Sequence, residues 1–198
     1  MELTFFTPER VITDLMEDLK CKSAVEIHKK LRSPGMNARR ELFFGSVFVS
    51  AVGKIQKHEC LLKLADEPWD IEMVDKTLLD RQDKPNHWNI QCVHIKDYYI
   101  KDQLLASNNI YKIFSRFLES KKLSLESGDY KGGLLVFHIS LNIGGLFDLQ
   151  KLRNYIRRIT QNKFEQIWIT GFYKPDYSQV QIAELLLSNE QLFLVSFP

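Results

Sequence analysis

The sequence predicts an α/β protein with a mixed central sheet flanked by helices, and three stretches carry that reading. W69-D-I-E-M-V74 alternates, with Trp69, Ile71 and Met73 on one face and Asp70 and Glu72 on the other, the period of a half-buried strand. L134-L-V-F-H-I-S-L141 is continuously apolar, β-branched and too short to prefer a helix, so it reads as a central strand buried on both faces. From residue 148 onward, helical and strand patterns alternate, which implies a largely parallel sheet.

Taken in order, Thr7-Pro8-Glu9 opens a first helix: a hydroxyl cap, proline at the first position and an acid facing the positive helix end. Val11, Ile12, Leu15, Met16 and Leu19 follow at helical spacing. Ser23 to Glu26 is a capping-box pattern for a second short helix, which ends at Ser33-Pro34-Gly35. Residues 1–36 therefore read as an N-terminal helical extension and 37–198 as the α/β core, a single domain overall.

Asn37 is placed to cap a helix over Ala38 to Ile55. Apolar residues surround that helix beyond its first turn, so it should be deeply buried, while Arg39, Arg40 and Glu41 charge its start. Glu59 to Leu64 is short and ambiguous, and can be a strand. Pro68 fixes the entry to the Trp69 strand. Lys76 to His87 is turn-rich and predicts an exposed loop before a second strand, W88-N-I-Q-C-V-H-I-K96. A helix is expected around Asn108 to Lys121, then a polar connection over Leu123 to Lys131. After the Leu134 strand come a helix from Asp148 to about Thr160, a strand from Phe164 to Tyr173, a helix from Ser178 to Ser188 and a strand from Gln191 to Phe197.

Composition narrows the functions. At 198 residues the chain can bury a substantial core without disulfides. A net charge of +2 gives no global signal for nucleic acid, membrane or an acidic partner, so any basic surface must be local. Cys21, Cys60 and Cys92 are odd in number and lack zinc spacing, which reads as free thiols in a reducing compartment. No stretch approaches the ~20 apolar residues of a membrane helix, and MELTFFTPER lacks signal-peptide features, so the expectation is a cytoplasmic protein with no membrane partner.

The chemistry concentrates between Trp69 and Lys96. His94 and Lys96 share one strand face ~7 Å apart, so an acid, an imidazole and an amine can converge on one sheet edge. Other candidates are plainer. Gly132-Gly133 and Gly144-Gly145 fit no phosphate-binding loop, Ser46, Ser50 and Ser140 lack a nucleophile-elbow context, and His138 reads as a hydrogen-bonded core histidine.

The order of elements, with Pro68-Trp69-Asp70 followed by His94-Ile95-Lys96 at the end of an apolar strand, resembles the PD-(D/E)XK nuclease superfamily, the restriction-endonuclease-like fold. The resemblance covers roughly residues 37 to 141. It implies Asp70 as metal-binding aspartate, Lys96 as catalytic lysine, and Glu41 as the helix glutamate that some members add. Two departures are plain: tryptophan separates Pro68 from Asp70, and His94 stands where the family carries a second acid. The implied cofactor is Mg²⁺ or Mn²⁺ held by Asp70 with Glu72, Glu41 or His94. An imidazole suits Mn²⁺ better than Mg²⁺, and His94 can alternatively act as a base.

The expected function is metal-dependent phosphodiester hydrolysis. Its alternative is a catalytically inactive relative that binds protein or nucleic acid, and a homo-oligomer is compatible with either. For DNA or RNA the best local cluster is Lys151, Tyr155, Arg157 and Arg158, with Lys151, Tyr155 and Arg158 on one helical face. That face reads either as a phosphate-contact surface or, more plainly, as the solvated side opposite Leu149, Leu152, Ile156 and Ile159.

Overall fold

A computed structural model describes residues 5–22, 24–79, 86–95, 111–112, 115–117, 119–120, 122–139, 148–160, 163–172, 178–186 and 192–196. Helix α1 (Pro8–Asp18) starts as its signals require: extended Thr7 accepts a hydrogen bond from the Arg10 N–H at 3.4 Å, and Pro8 occupies the first turn. Its buried face, Val11, Ile12 and Leu15, joins Ile27 of α2 (Ala24–Lys30) in one apolar core with the long helix α3 (Asn37–Gln56). Just before α1, Phe6 exchanges two backbone hydrogen bonds with Leu62, at 2.9 and 2.8 Å. The N-terminal extension is thus laid onto the sheet and shares its core.

α3 is a helix, and every residue from Phe43 to Gly53 is buried. Asn37 does not cap it. Met36 holds that position, and the Asn37 carboxamide accepts from the Arg40 guanidinium at 2.5 Å, which moves Glu41 into the second turn.

The described strands form one seven-stranded sheet in sequential order: β1 (Cys60–Leu64), β2 (Ile71–Asp75), β3 (His87–Ile95), β4 (Leu134–Ile139), β5 (Gln166–Phe172), β6 (Gln179–Glu184) and β7 (Phe193–Ser196). Only β3–β4 and β4–β5 pair in parallel, and the other neighbours are antiparallel. The expectation of a largely parallel sheet therefore fails, and the cause is β6. Within the predicted helix from Ser178 to Ser188, Gln179–Glu184 form a strand: Val180 and Ile182 face one core, Ala183 and Leu185 the other. A strand covered on both faces shows a near-continuous apolar pattern, and tertiary context overrides the helix propensity of A-E-L-L-L.

The Asp70, His94 and Leu134 segments share this one layer with α3 packed on it, as expected, and Phe43, Val47, Val52, Val136, Phe137, Ile156 and Ile169 are all buried. The second face carries the crossover segments. Residues 111–112, 115–117 and 119–120 are helical, followed by α4 (Lys122–Ser127) where a polar connection was expected, and α5 (Leu149–Thr160) joins β4 to β5. Two successive crossovers of one hand, stepping the same way across a parallel stretch, must lie on one face. Tyr111, Phe117, Leu152 and Ile156 do pack in one core with Leu135, Phe137, Ile167 and Ile169.

The Lys76–His87 connection is not wholly exposed. It begins with a 3₁₀ turn, Lys76–Leu78, whose Leu78 is buried, and residues 80–85 lie outside the described set. Among the described residues no helix is long and apolar enough to cross a membrane.

Candidate functional site

β2 and β3 pair only from Ile71 opposite Ile90 to Val74 opposite His87, so Gln91 to Ile95 run on past the start of β2. Asp70 occupies that corner. Its carboxylate accepts from the Cys92 backbone N–H at 2.6 Å and from the Gln91 carboxamide, and its own N–H donates to the Ile90 carbonyl at 3.0 Å. The preceding residue holds it there. The Trp69 ring lies against Gly133 and meets Tyr130 edge-on at 5.0 Å in the second core, whereas Ile71 and Met73 join the α3 core, so the single face expected for Trp69, Ile71 and Met73 is broken at Asp70.

On the α3 side, β3 and β4 are in register with His94 opposite His138. Phe44 of α3 stacks on both imidazoles, at centroid distances of 4.7 Å to His94 and 3.8 Å to His138. Arg40, Glu41, Phe44, Cys92, Val93, His94 and His138 line a cavity of about 100 Å³. His138 is buried with Nδ1 2.7 Å from the Thr170 hydroxyl, so it is the hydrogen-bonded core histidine expected, and it is also part of the pocket wall.

Cys92 lies at the centre. Burial pushes its thiol well above the ordinary range, and the charges of Asp70 and Glu41 push the same way. Glu41 and Cys92 line one pocket and Asp70 is bonded to the Cys92 N–H, while burial above all keeps the sulfur protonated, which removes a thiolate nucleophile from consideration.

The remaining candidates are spread out. Glu72, in β2, is held by an ion pair 2.8 Å from the Lys63 ammonium and by a contact 2.6 Å from His87 Nε2, away from the pocket. Lys96 lies outside the described residues. Asp75, at the far end of β2, is 1% exposed, accepting from His58 Nδ1 at 2.6 Å and from the Thr77 N–H at 2.9 Å. Lys151, Tyr155 and Arg158 do share one face of α5, while Arg157 turns aside and donates to the Leu186 carbonyl at 2.9 Å.

Among the described residues no group of three or more His, Cys, Asp or Glu side chains is arranged to hold a metal ion. The described pocket therefore does not by itself fit the divalent ion that the resemblance implies. What it can do is hold a half-buried imidazole in one pocket with the Glu41 carboxylate and the Arg40 guanidinium, with the Asp70 carboxylate at the adjoining strand corner.

Sequence reading treated Cys92 only as a thiol and passed over Phe44. The signal for the His94–His138 wall was present: C92-V-H-I95 and V136-F-H-I139 end alike, as in-register parallel neighbours can. No protein-family model, no curated protein and no solved structure matches this chain.

Proposed function

We propose that the chain is a restriction-endonuclease-like phosphodiesterase acting on nucleic acid, with its reaction centre at the corner formed by Asp70, Glu41 and His94. The observation that carries this reading is the Asp70 carboxylate, set at the strand corner beside Cys92, with Glu41 and His94 on the same pocket. The element order supports it as well: α3, three antiparallel strands, a crossover and the parallel strand β4 follow in the sequence on which the resemblance rests.

His94 is the group that can take a proton at neutral pH. Glu41 lines the same pocket as His94, and Lys96, two residues on, is the lysine that the resemblance assigns to the substrate phosphate. A cytoplasmic location goes with this reading, in keeping with three free thiols.

The second reading, a binding module without activity, is favoured by one detail. The same Asp70 oxygen accepts from both Gln91 and Cys92, so the carboxylate is engaged by the sheet itself.

Cleavage of labelled single-stranded and duplex oligonucleotides in EDTA, Mg²⁺ or Mn²⁺ tests both. The nuclease reading expects cleavage that Asp70→Asn abolishes and that His94→Ala slows by about a hundredfold or more. Asp70→Asn cleaving at the wild-type rate would refute the assignment. Binding without cleavage by the wild type under every condition would select the second reading.

A further inference from the structure

The face of the sheet opposite the pocket carries a groove of about 430 Å³ between the two crossover segments, lined by Tyr111, Lys151, Asn154, Tyr155 and Arg158. That volume lies in the range of small-ligand sites. We propose that this groove binds single-stranded nucleic acid, stacking a base on the tyrosine pair and holding the flanking phosphates with Lys151 and Arg158. The inference goes beyond the hydrolytic reading and does not require it.

The pattern is cation, ring, cation. Lys151, Tyr155 and Arg158 stand at i, i+4 and i+7 of α5, which separates the two cations by roughly 10 Å along the helix with the ring between them. A single strand presents the matching alternation of phosphate, base and phosphate. The Arg158 guanidinium lies over the Tyr155 ring, 5.7 Å from its centroid, so cation and ring are already associated. Tyr111 and Tyr155 meet at 64° with centroids 4.8 Å apart, forming a wedge.

The wedge is held in place before any ligand arrives. The Tyr155 hydroxyl donates to the Tyr111 carbonyl at 3.1 Å and is also bonded to Ser115. Asn154 brings an amide that can meet a base edge. Among the described residues Asp148 is a nearby acid: it accepts from the Lys151 N–H at 3.1 Å and lies 3.6 Å from the Lys151 ammonium, so its charge is already engaged at the helix end. Because a duplex hides its base faces, stacking here selects an unpaired strand.

The test is fluorescence anisotropy of the intact chain with a labelled ten-nucleotide oligothymidine in EDTA, so that hydrolysis plays no part. Lys151→Glu/Arg158→Glu should weaken binding at least tenfold at low salt and reduce the salt slope by about 1.4, two phosphates at ~0.7 each. Tyr155→Leu should weaken binding about tenfold with the slope unchanged. Tyr155→Phe, which keeps the ring but loses the bonds to the Tyr111 carbonyl and Ser115, should weaken binding less than Tyr155→Leu does, again with the slope unchanged. The proposal is overturned by absent wild-type binding, by an unaltered double charge reversal, by a matching duplex that binds as tightly, or by an oligoglutamate peptide that competes equally well. Retained binding in an Asp70→Asn protein that no longer cleaves would support a groove independent of the reaction centre.

Discussion

Replacing Gly133 with alanine puts a single methyl group where a ring already stands. A Cβ built on Gly133 falls 1.9, 2.4 and 2.7 Å from Trp69 Cη2, Cζ3 and Cζ2, whereas carbon atoms in contact settle at about 3.5–4.0 Å. The indole must therefore retreat by about 1.5 Å or more. Gly133 is not in the left-handed region, so alanine suits its backbone and recovers about 0.4–1 kcal/mol from the unfolded state. Overpacking of this kind costs about 1–3 kcal/mol, leaving a net loss of about 1–2 kcal/mol. For a chain of this size the melting temperature should fall by about 2–8 °C. The decisive measurement is a double-mutant cycle in urea. In a Trp69→Leu background the added methyl finds room, and Gly133→Ala should lose most of its cost. A Gly133→Ala protein as stable as wild type, or strictly additive effects in the cycle, would refute the reasoning. Trp69 adjoins Asp70, so the displacement should also reach the strand corner.

Two further outcomes can be checked on stability alone. Burial pushes the Cys60 thiol up to about 12, with the charges of Asp75, Glu59 and Glu9 adding to it, whereas the unfolded chain releases that proton near ~8.5. The stability this group contributes is therefore whole below about pH 8.5 and is lost as pH climbs toward 12; urea midpoints at pH 8 and pH 10 should show a drop that Cys60→Ala reduces. Asp75→Ala removes the acceptor of both the Thr77 N–H and His58 and should cost about 1–3 kcal/mol in the same assay, and a loss under 0.5 kcal/mol would mean that water replaces the carboxylate.

The sheet was legible where periodicity matched burial. β2 alternates because only one of its faces is covered by α3, and β4 reads as apolar throughout because both faces are covered. The same physics misled at β6, where a doubly covered strand mimics a helix. In the site, Asp70, Glu41 and His94 could be picked out because charged or titratable side chains near an apolar strand end are conspicuous. Glu72 was grouped with Asp70 by alternation alone, and alternation does not extend back to Trp69; Lys63 and His87 reach Glu72 through pairings that local sequence does not encode. Asp75 illustrates the converse, since its burial depends on His58, seventeen positions away.

The strictly sequential strand order bears on how the chain acquires this structure. β1, β2 and β3 form a meander of near neighbours in sequence, as do β5, β6 and β7, so each end can zip up through short loop closures. β4 alone must await two long crossings, from Ile95 to Leu134 and from Ile139 to Gln166, and it joins the ends by parallel pairing on both sides. Non-local pairing is the slow part of assembling a sheet, so the rate at which this protein folds is set at its most hydrophobic strand. Until β4 docks, each meander exposes an unpaired edge, β3 on one side and β5 on the other, and the nascent chain is most open to pairing with a neighbour there.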